Sequence, residues 1–235
     1  MKNKPTGRIT ELLIELWRWI IEHYGCTVDD ICELRGIKKR AAYDLMQKWI
    51  DDGYFYRKEK SGGIILPKQR TYRECGVPYK FHDIGLVFLI HAAAVTKVEH
   101  WLRKREDMIV MSWTGERYLR HMRGMDDTLE SWRVTTHVPD AVAEIYSRKT
   151  QRIEEVAIEA ERTAKGREEW YKILTLNASQ YEHIWYFADM AQVYHPLETC
   201  IENLPDEDIK KFHLWKLDTI VCERKTQFTP DITQI

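Results

Sequence analysis

Basic side chains crowd into one short stretch of this sequence. Between residues 35 and 73 there are 11 Lys and Arg residues against 4 Asp and Glu residues, whereas the whole chain of 235 residues has a formal net charge of −1. Cations clustered on a near-neutral chain indicate a confined surface that binds a polyanion such as a nucleic acid. The alternative is an ordinary solvated charged surface, which composition alone does not exclude.

The residue types in that stretch predict how it would contact DNA. The candidate contacts are Lys38, Lys39, Arg40, Tyr43, Asp44, Gln47, Lys58, Lys60, Lys68, Arg70 and Arg73. The first three begin a predicted helix, where they could meet phosphates beside the positive end of the helix dipole. Tyr43, Asp44 and Gln47 lie opposite the apolar stripe of that helix and could reach base edges. The remaining five lie in or behind a predicted wing and would contact the backbone or the minor groove.

Three helices and a hairpin would position these side chains. The predicted elements are helices at 9–20, 27–34 and 38–52 and strands at 54–58 and 64–66. They rest on apolar residues at helical spacing, on Thr27 as an N-cap, and on Gly62-Gly63 between two strand-like runs. This order predicts a winged helix-turn-helix that docks on duplex DNA. The alternative is a winged helix used only for protein–protein contact.

A longer helix is predicted between residues 84 and 104. Its apolar stripe comprises Ile84, Phe88, His91, Val95, Val98 and Leu102. Steps of four and three residues make a 3.5-residue seam, which suits packing along another helix. The seam fits either a buried helix within one chain or the interface of a homodimer.

The rest of the chain predicts a small α/β domain. Strand-like runs occupy 108–113, a part of 134–146, 152–161 and 183–188, and a helix is predicted at 166–177. Pro139-Asp140 falls within the second of these strands. Strand alternation places Glu159 and Glu161 on one face of the third.

The segment HVPDAVAEIYSRKTQRIEEVAIEAERTAKGREEWYKIL resembles the replication-relaxation family of plasmid and integrative-element proteins. The resemblance rests on Pro139-Asp140, Glu159-x-Glu161, Lys165 and the aromatic and basic helix that follows. It implies a winged helix followed by a domain similar to PD-(D/E)XK nucleases.

The resemblance also implies a site. Hydrolysis of a phosphodiester needs carboxylates that hold Mg²⁺ and a lysine that positions water. Asp140 and Glu159 would be the metal ligands and, with Glu161 and Lys165, the catalytic residues; Glu116 could add a further acid. The full motif has lysine where this chain has Glu161, so a lysine from the following helix would have to replace it. Three interpretations stay open: an active nuclease, an inert nuclease-like domain, or an unrelated α/β domain with exposed strand glutamates.

Taken together, the patterns predict an α+β protein. Its domains would be a winged helix-turn-helix at 1–80, a connecting helix at 81–106, a nuclease-like domain at 107–222 and a polar tail at 223–235. Five scattered cysteines indicate free thiols in a reducing compartment. With no long apolar run, this predicts a cytoplasmic protein that does not enter a membrane.

The function implied by the resemblance is that of an accessory protein of a mobile genetic element. Such a protein would bind duplex DNA at a replication or transfer origin and assist a relaxase or an initiator. Its nuclease-like domain would be inactive and would need no cofactor. The alternatives are a Mg²⁺-dependent DNA endonuclease or nickase, and a transcriptional repressor.

Overall fold

Contacts between residues divide the chain into two units. In the computed structural model, one unit comprises Met1–Ala93 and Arg117–Val134, and the other comprises Ala94–Glu116 and Thr135–Ile235. The structure describes residues 9–58, 63–78, 81, 84–125 and 137–217. Lys60 and the predicted polar tail lie outside these residues. The first unit is therefore built from two separate stretches of sequence.

The elements confirm a mixed α+β chain with helices at its N-terminal end. In chain order they are α1 (Glu11–Glu22), α2 (Val28–Arg35), α3 (Lys39–Asp51), β1 (Phe55–Arg57), β2 (Ile65–Pro67), α4 (Gln69–Cys75), α5 (Leu86–Lys104), β3 (Met108–Gly115), α6 (Glu116–Met122), β4 (Ala141–Ser147), β5 (Arg152–Glu161), α7 (Arg167–Gln180), β6 (His183–Ala188), α8 (Ala191–Glu202), α9 (Asp206–Ile209) and β7 (Phe212–Lys216). None of the described helices is long and apolar enough to cross a membrane.

Local signals set the ends of the first helices. The Thr10 side chain caps α1 by accepting the backbone N–H of Leu13. Thr27 and Asp30 form a capping box at the start of α2, which satisfies two backbone donors that a helix start leaves open. Gly36 ends α2 with a φ of 61°, a conformation that glycine adopts without steric cost. The chain can therefore turn directly from α2 into α3.

Aromatic side chains fill the core of the first unit. Trp17 of α1 is 1% exposed. Its ring lies 6.0 Å from that of Trp49, 4.5 Å from that of Tyr54 and 5.7 Å from that of Phe55, measured between centroids. Because aromatic rings remove large apolar areas from water, these contacts hold α1, α3 and β1 together. The two predicted strands pair antiparallel, as β1 and β2.

Arg117 of α6 belongs to this first unit although it follows β3 in sequence. Its side chain is 1% exposed, and Nη1 donates to the hydroxyl of Tyr72 at 2.8 Å and to the carbonyl of Ile21 at 3.3 Å. The guanidinium also lies over the rings of Tyr24 and Tyr72. The buried charge is thus held by hydrogen bonds and by aromatic faces.

A five-stranded mixed sheet forms the second unit, in the order β3-β4-β5-β6-β7. Neighbours are antiparallel from β3 to β5 and parallel from β5 to β7. Parallel neighbours need crossover connections, which α7 supplies between β5 and β6 and α8 with α9 between β6 and β7. One face of the sheet packs against the second half of α5, and the other packs against α7 and α8.

The structure corrects part of the predicted strand pattern. The strand expected within 134–146 is wrong at Pro139 and Asp140, because β4 begins only at Ala141; residues 134–136 lie outside the described residues. Pro139 has no backbone N–H to donate to a ladder, and Asp140 therefore lies before the strand. Four helices (α4, α6, α8, α9) and β7 were not predicted. The bounds predicted for β5 and β6 are confirmed.

The predicted seam along α5 packs largely within the chain. Val98 and Leu102 are fully buried in the core of the second unit, which favours the intrachain interpretation over the homodimer. Val87 and Ile90 of the same helix are exposed, and neither belongs to the predicted stripe.

Candidate functional site

Helix α3 turns one face into the core and leaves the opposite face open. Its buried residues are Ala42, Met46 and Trp49, which fall on one face of a helix. The exposed residues at its start are Lys38, Lys39, Arg40, Tyr43 and Asp44. These five, together with Gln47 and Arg57, are named the α3 surface below. Most of the predicted phosphate and base contacts therefore share one exposed surface.

Ion pairs on the α3 surface are open to solvent. Lys39 Nζ lies 2.8 Å from Asp29 Oδ1, and the two side chains are 76% and 55% exposed. Arg40 Nε donates to Asp44 Oδ2 at 3.2 Å. The hydrogen bond and the charge of Asp29 raise the pKa of Lys39, which keeps the ammonium protonated. Exposed pairs of this kind contribute at most about 1 kcal/mol, so a phosphate can displace the carboxylate partner.

Gln47 and Arg57 extend the α3 surface from the helix to β1. Gln47 Nε2 donates to Asp51 Oδ1 at 2.9 Å, and Arg57 Nη2 donates to Gln47 Oε1 at 3.3 Å. The Arg57 guanidinium carbon lies 5.0 Å from the centroid of the Tyr43 ring. Arg57 was missed in the sequence because its partners are on another element. The sequence signal that could have identified Arg57 is its position as the charged last residue of a short aromatic strand.

Two predicted DNA contacts instead support the fold of the first unit. Lys58 Nζ donates to the carbonyl of Ile84 at 2.9 Å. Arg70 donates to the carbonyl of Asp52 at 3.2 Å and to the hydroxyl of Tyr54 at 2.9 Å. Both cations are half-buried. Their hydrogen bonds would have to break before they could bind phosphate.

The other contacts predicted after the hairpin are exposed. Lys68 precedes α4, and Arg73 lies within that helix; both side chains are open to solvent. These two cations stay candidates for backbone contacts.

The second unit gathers the predicted carboxylates where β4 begins and β5 ends. Asp140 directly precedes β4, and Glu159 and Glu161 lie at the end of β5, the antiparallel neighbour of β4. The register partners of the two glutamates in β6 are Tyr186 and Ala188, which both belong to the core under α7 and α8. The two glutamates thus share the face that strand alternation predicts.

Glu159 is buried and held from two sides. It is 6% exposed; its Oε1 accepts from Asn177 Nδ2 at 2.9 Å and hydrogen-bonds with His137 Nε2. Asn177 also donates to the Tyr186 hydroxyl at 3.0 Å. The interpretation of Glu159 as an exposed strand residue is therefore wrong. We name the residues His137, Asp140, Glu159, Glu161, Lys165 and Asn177 the carboxylate cluster.

The electrostatics of this cluster follow from burial and pairing. Burial lowers the pKa of His137, but the charge and hydrogen bond of Glu159, aided by Asp140 and Glu116, outweigh it, so the pKa is raised. Burial raises the pKa of Tyr186 well above its usual value, and the charge of Glu159 adds to this rise. His137 is thereby favoured as a cation and Tyr186 as a neutral phenol.

Lys165 pairs with the glutamate that stands where the nuclease motif has lysine. Its ammonium forms an ion pair with Glu161 and lies 4.6 Å from the centroid of the Trp170 ring. Burial lowers the pKa of Lys165, and the carboxylates of Glu159, Glu169 and Asp140 offset part of this effect. Lys165 is therefore electrostatically coupled to both predicted metal ligands.

Asp140 ties the start of β4 to its neighbours. Its Oδ2 accepts the backbone N–H of Ala160 at 2.7 Å, and its carbonyl accepts the backbone N–H of Glu116 at 2.8 Å. Carboxylates such as these suit Mg²⁺ chemically, but Glu159 Oε1 already has two partners and the Asp140 carboxylate holds a strand. One oxygen of each of these two carboxylates is therefore engaged in hydrogen bonds within the protein. Within the described ranges, no group of three or more His, Cys, Asp or Glu side chains is placed to hold a metal ion.

Sequence reasoning missed His137 and Asn177. His137 stands three residues before Asp140 in the segment that carries the family resemblance, and that proximity was the available signal. Asn177 lies on α7, 18 residues after Glu159, so only the folded crossover brings the two together.

Comparison with known proteins adds no support to the resemblance to the replication-relaxation family. No protein-family model matches the chain, and no curated protein or solved structure matches it significantly. The likeness to the replication-relaxation family therefore rests on the residues quoted for it.

Proposed function

We propose that the protein binds duplex DNA through the α3 surface. The observation that carries this proposal is that α3 buries only one of its faces. Ala42, Met46 and Trp49 face the core, whereas Lys39 and Arg40 stay exposed. A helix that enters the major groove must bury one face in its own protein and offer polar side chains on the other. The position of α3, between a short helix and a hairpin, supports a winged helix-turn-helix in which α3 would be the recognition helix.

The electrostatics of the α3 surface support this proposal. Two of its cations, Lys39 and Arg40, are paired with exposed carboxylates, which exchange readily for phosphates because water already solvates both partners. Each phosphate contact releases condensed counterions from DNA. Binding should therefore weaken steeply as salt is raised.

The wider role follows from the family resemblance. We propose an accessory protein of a mobile element that acts with a relaxase or an initiator at an origin. The internally paired carboxylate cluster, with Glu161 neutralised by Lys165, supports a nuclease-like domain that serves as a platform without cutting DNA. Footprinting separates this role from that of a repressor, because a repressor protects a promoter and an accessory protein protects an origin.

The direct test is a salt series of DNA binding measured by fluorescence anisotropy. The double variant Lys39→Ala with Arg40→Ala should reduce the slope of log K against log salt by about two units, because each lost phosphate contact removes about one. The matched control is Arg148→Ala with Lys149→Ala, which removes two exposed cations from the turn after β4. An equal change of slope in both double variants would contradict the proposal.

A second candidate function is a metal-dependent DNA nuclease. The observation that favours it is the ion pair of Lys165 with Glu161, which lies two residues after Glu159 on the same face of β5. The carboxylates of Asp140 and Glu159 would have to hold Mg²⁺, and their present hydrogen bonds would have to rearrange.

Cleavage of supercoiled plasmid in Mg²⁺ or Mn²⁺ decides between the two functions. The accessory role predicts no cutting by the wild type. Metal-dependent cutting that is lost in Asp140→Ala and kept in Glu155→Ala, an exposed acid on β5, would establish the nuclease.

A further inference from the structure

Arg57 is fixed against the exposed face of α3. Its side chain is exposed, its guanidinium lies over the Tyr43 ring, and one of its N–H groups donates to Gln47 Oε1. A guanidinium has five N–H donors in a rigid fork, and this contact occupies one of them. The ring and the amide therefore hold the fork in place while further donors stay available to a ligand.

The orientation of Gln47 is set by its neighbours. Asp51 can only accept, so it requires the amide nitrogen on its side; Arg57 can only donate, so it requires the amide oxygen. Both contacts agree on one orientation. Since the Gln47 amide is held at both ends, it can position Arg57 before any ligand binds.

The partners of Arg57 distinguish it from the cations at the start of α3, because Arg57 contacts an amide and a ring whereas Lys39 and Arg40 pair with carboxylates. Asp44 and Asp51 are exposed and, with Gln47 between them, fall on one face of the helix at intervals of three and four residues. Carboxylates repel phosphates, so the end of this strip at Gln47 and Asp51 is less suited to the DNA backbone than the start of α3, where Lys39 and Arg40 lie. A mixture of donors and acceptors instead matches the edges of base pairs in the major groove.

We propose that Arg57, positioned by Tyr43 and Gln47, reads the guanine of a G·C base pair in the major groove. Guanine presents two acceptors there, O6 and N7, which a guanidinium fork meets with two parallel hydrogen bonds. Lysine cannot form this pair, because its ammonium is a point charge without a fork. The inference rests on the proposed binding of duplex DNA and adds a readout of sequence to it.

The test is selection of binding sites from a random duplex library. The wild type should prefer G·C at one position of its site, and Arg57→Lys should reduce that preference by about tenfold, the discrimination that one bidentate contact provides. The slope of log K against log salt should not change, because the charge is kept. The matched control is Arg148→Lys, the same substitution at an exposed arginine of the turn after β4, which should leave the preference intact.

The other possible results of this experiment contradict either the inference about Arg57 or the proposed binding of duplex DNA. If the wild type binds duplex DNA but shows no G·C preference, or if Arg57→Lys keeps it, the inference about Arg57 is wrong and DNA binding stands. If Arg57→Ala weakens binding equally on all sequences and lowers the salt slope by about one unit, Arg57 is a phosphate contact. If the wild type binds no duplex, the proposed function fails and this inference with it. Each variant should have the melting temperature of the wild type, which shows that these exposed substitutions leave the fold intact.

Discussion

The α3 surface and the carboxylate cluster use the same kinds of side chains in opposite environments. The Lys39–Asp29 pair is 76% and 55% exposed, whereas the Lys165–Glu161 pair is 23% and 15% exposed. Water stabilises each partner of the first pair separately, so that pair can open for a ligand. In the cluster each charge depends on its protein partner, because an unpaired buried charge costs several kcal/mol. Ion pairs of similar composition are thus open to solvent in one unit, as the proposed binding surface requires, and largely buried in the other.

The largest effect should come from breaking the network in the cluster. Glu159→Ala leaves His137 and Asn177 without their carboxylate partner, and we expect the free energy of unfolding to fall by about 3–5 kcal/mol. Urea denaturation measures it. Glu155→Ala, an exposed residue of the same strand, should change stability by less than about 0.5 kcal/mol. A similar loss of unfolding free energy in the two variants would contradict the proposed difference between buried and exposed acids.

Two cations near the hairpin, Arg70 and Lys68, should have different roles: Arg70 stabilises the fold, and Lys68 contacts DNA. Arg70→Ala removes two hydrogen bonds and a contact with the Tyr54 ring, and should destabilise the protein by about 1–3 kcal/mol. Lys68→Ala removes an exposed cation and should alter DNA affinity more than stability. Thermal melting and anisotropy, measured on both variants, check this division. The reverse result would return Arg70 to the DNA contacts.

The pH dependence of stability should reveal the His137–Glu159 pair, with a smaller effect. The pKa of His137 is raised in the folded state, so protonation of this histidine stabilises the fold. The contribution is fully present below the unfolded pKa of about 6.5 and is lost as the pH rises through the higher folded pKa. Stability of the wild type should therefore decline over that window more than stability of His137→Gln. Urea midpoints at a series of pH values measure the difference, and parallel curves would contradict it.

The smallest effect is expected on the α3 surface. Asp29→Asn removes the exposed partner of Lys39 and should change stability by less than about 1 kcal/mol. DNA affinity should rise slightly, because one negative charge near the binding surface disappears. A loss of DNA affinity would show that Asp29 positions Lys39 and does not compete for it.

Local patterns predicted those elements that local chemistry determines. The strand-like runs at 152–161 and 183–188 gave the bounds of β5 and β6, and Thr27 with its helical neighbours gave the start of α2. The position of Asp140 before β4 was missed, because an apolar run around Pro139 reads as strand until the missing N–H is considered. Arg57, Asn177 and Arg117 could not be placed, since each acts through a partner on a distant element. The sequence therefore identified acids and cations of both regions but not what orients them.

Arg117 has a consequence for the order in which the protein matures during synthesis. The hydroxyl of Tyr72 and the carbonyl of Ile21 receive this guanidinium only after β3 has been translated, because chains emerge from the ribosome N-terminal end first. A fragment that stops at residue 80 contains the first helices and the hairpin but lacks Arg117 and its hydrogen bonds to Tyr72 and Ile21. The nascent first unit therefore completes its core only after the ribosome has begun the second unit.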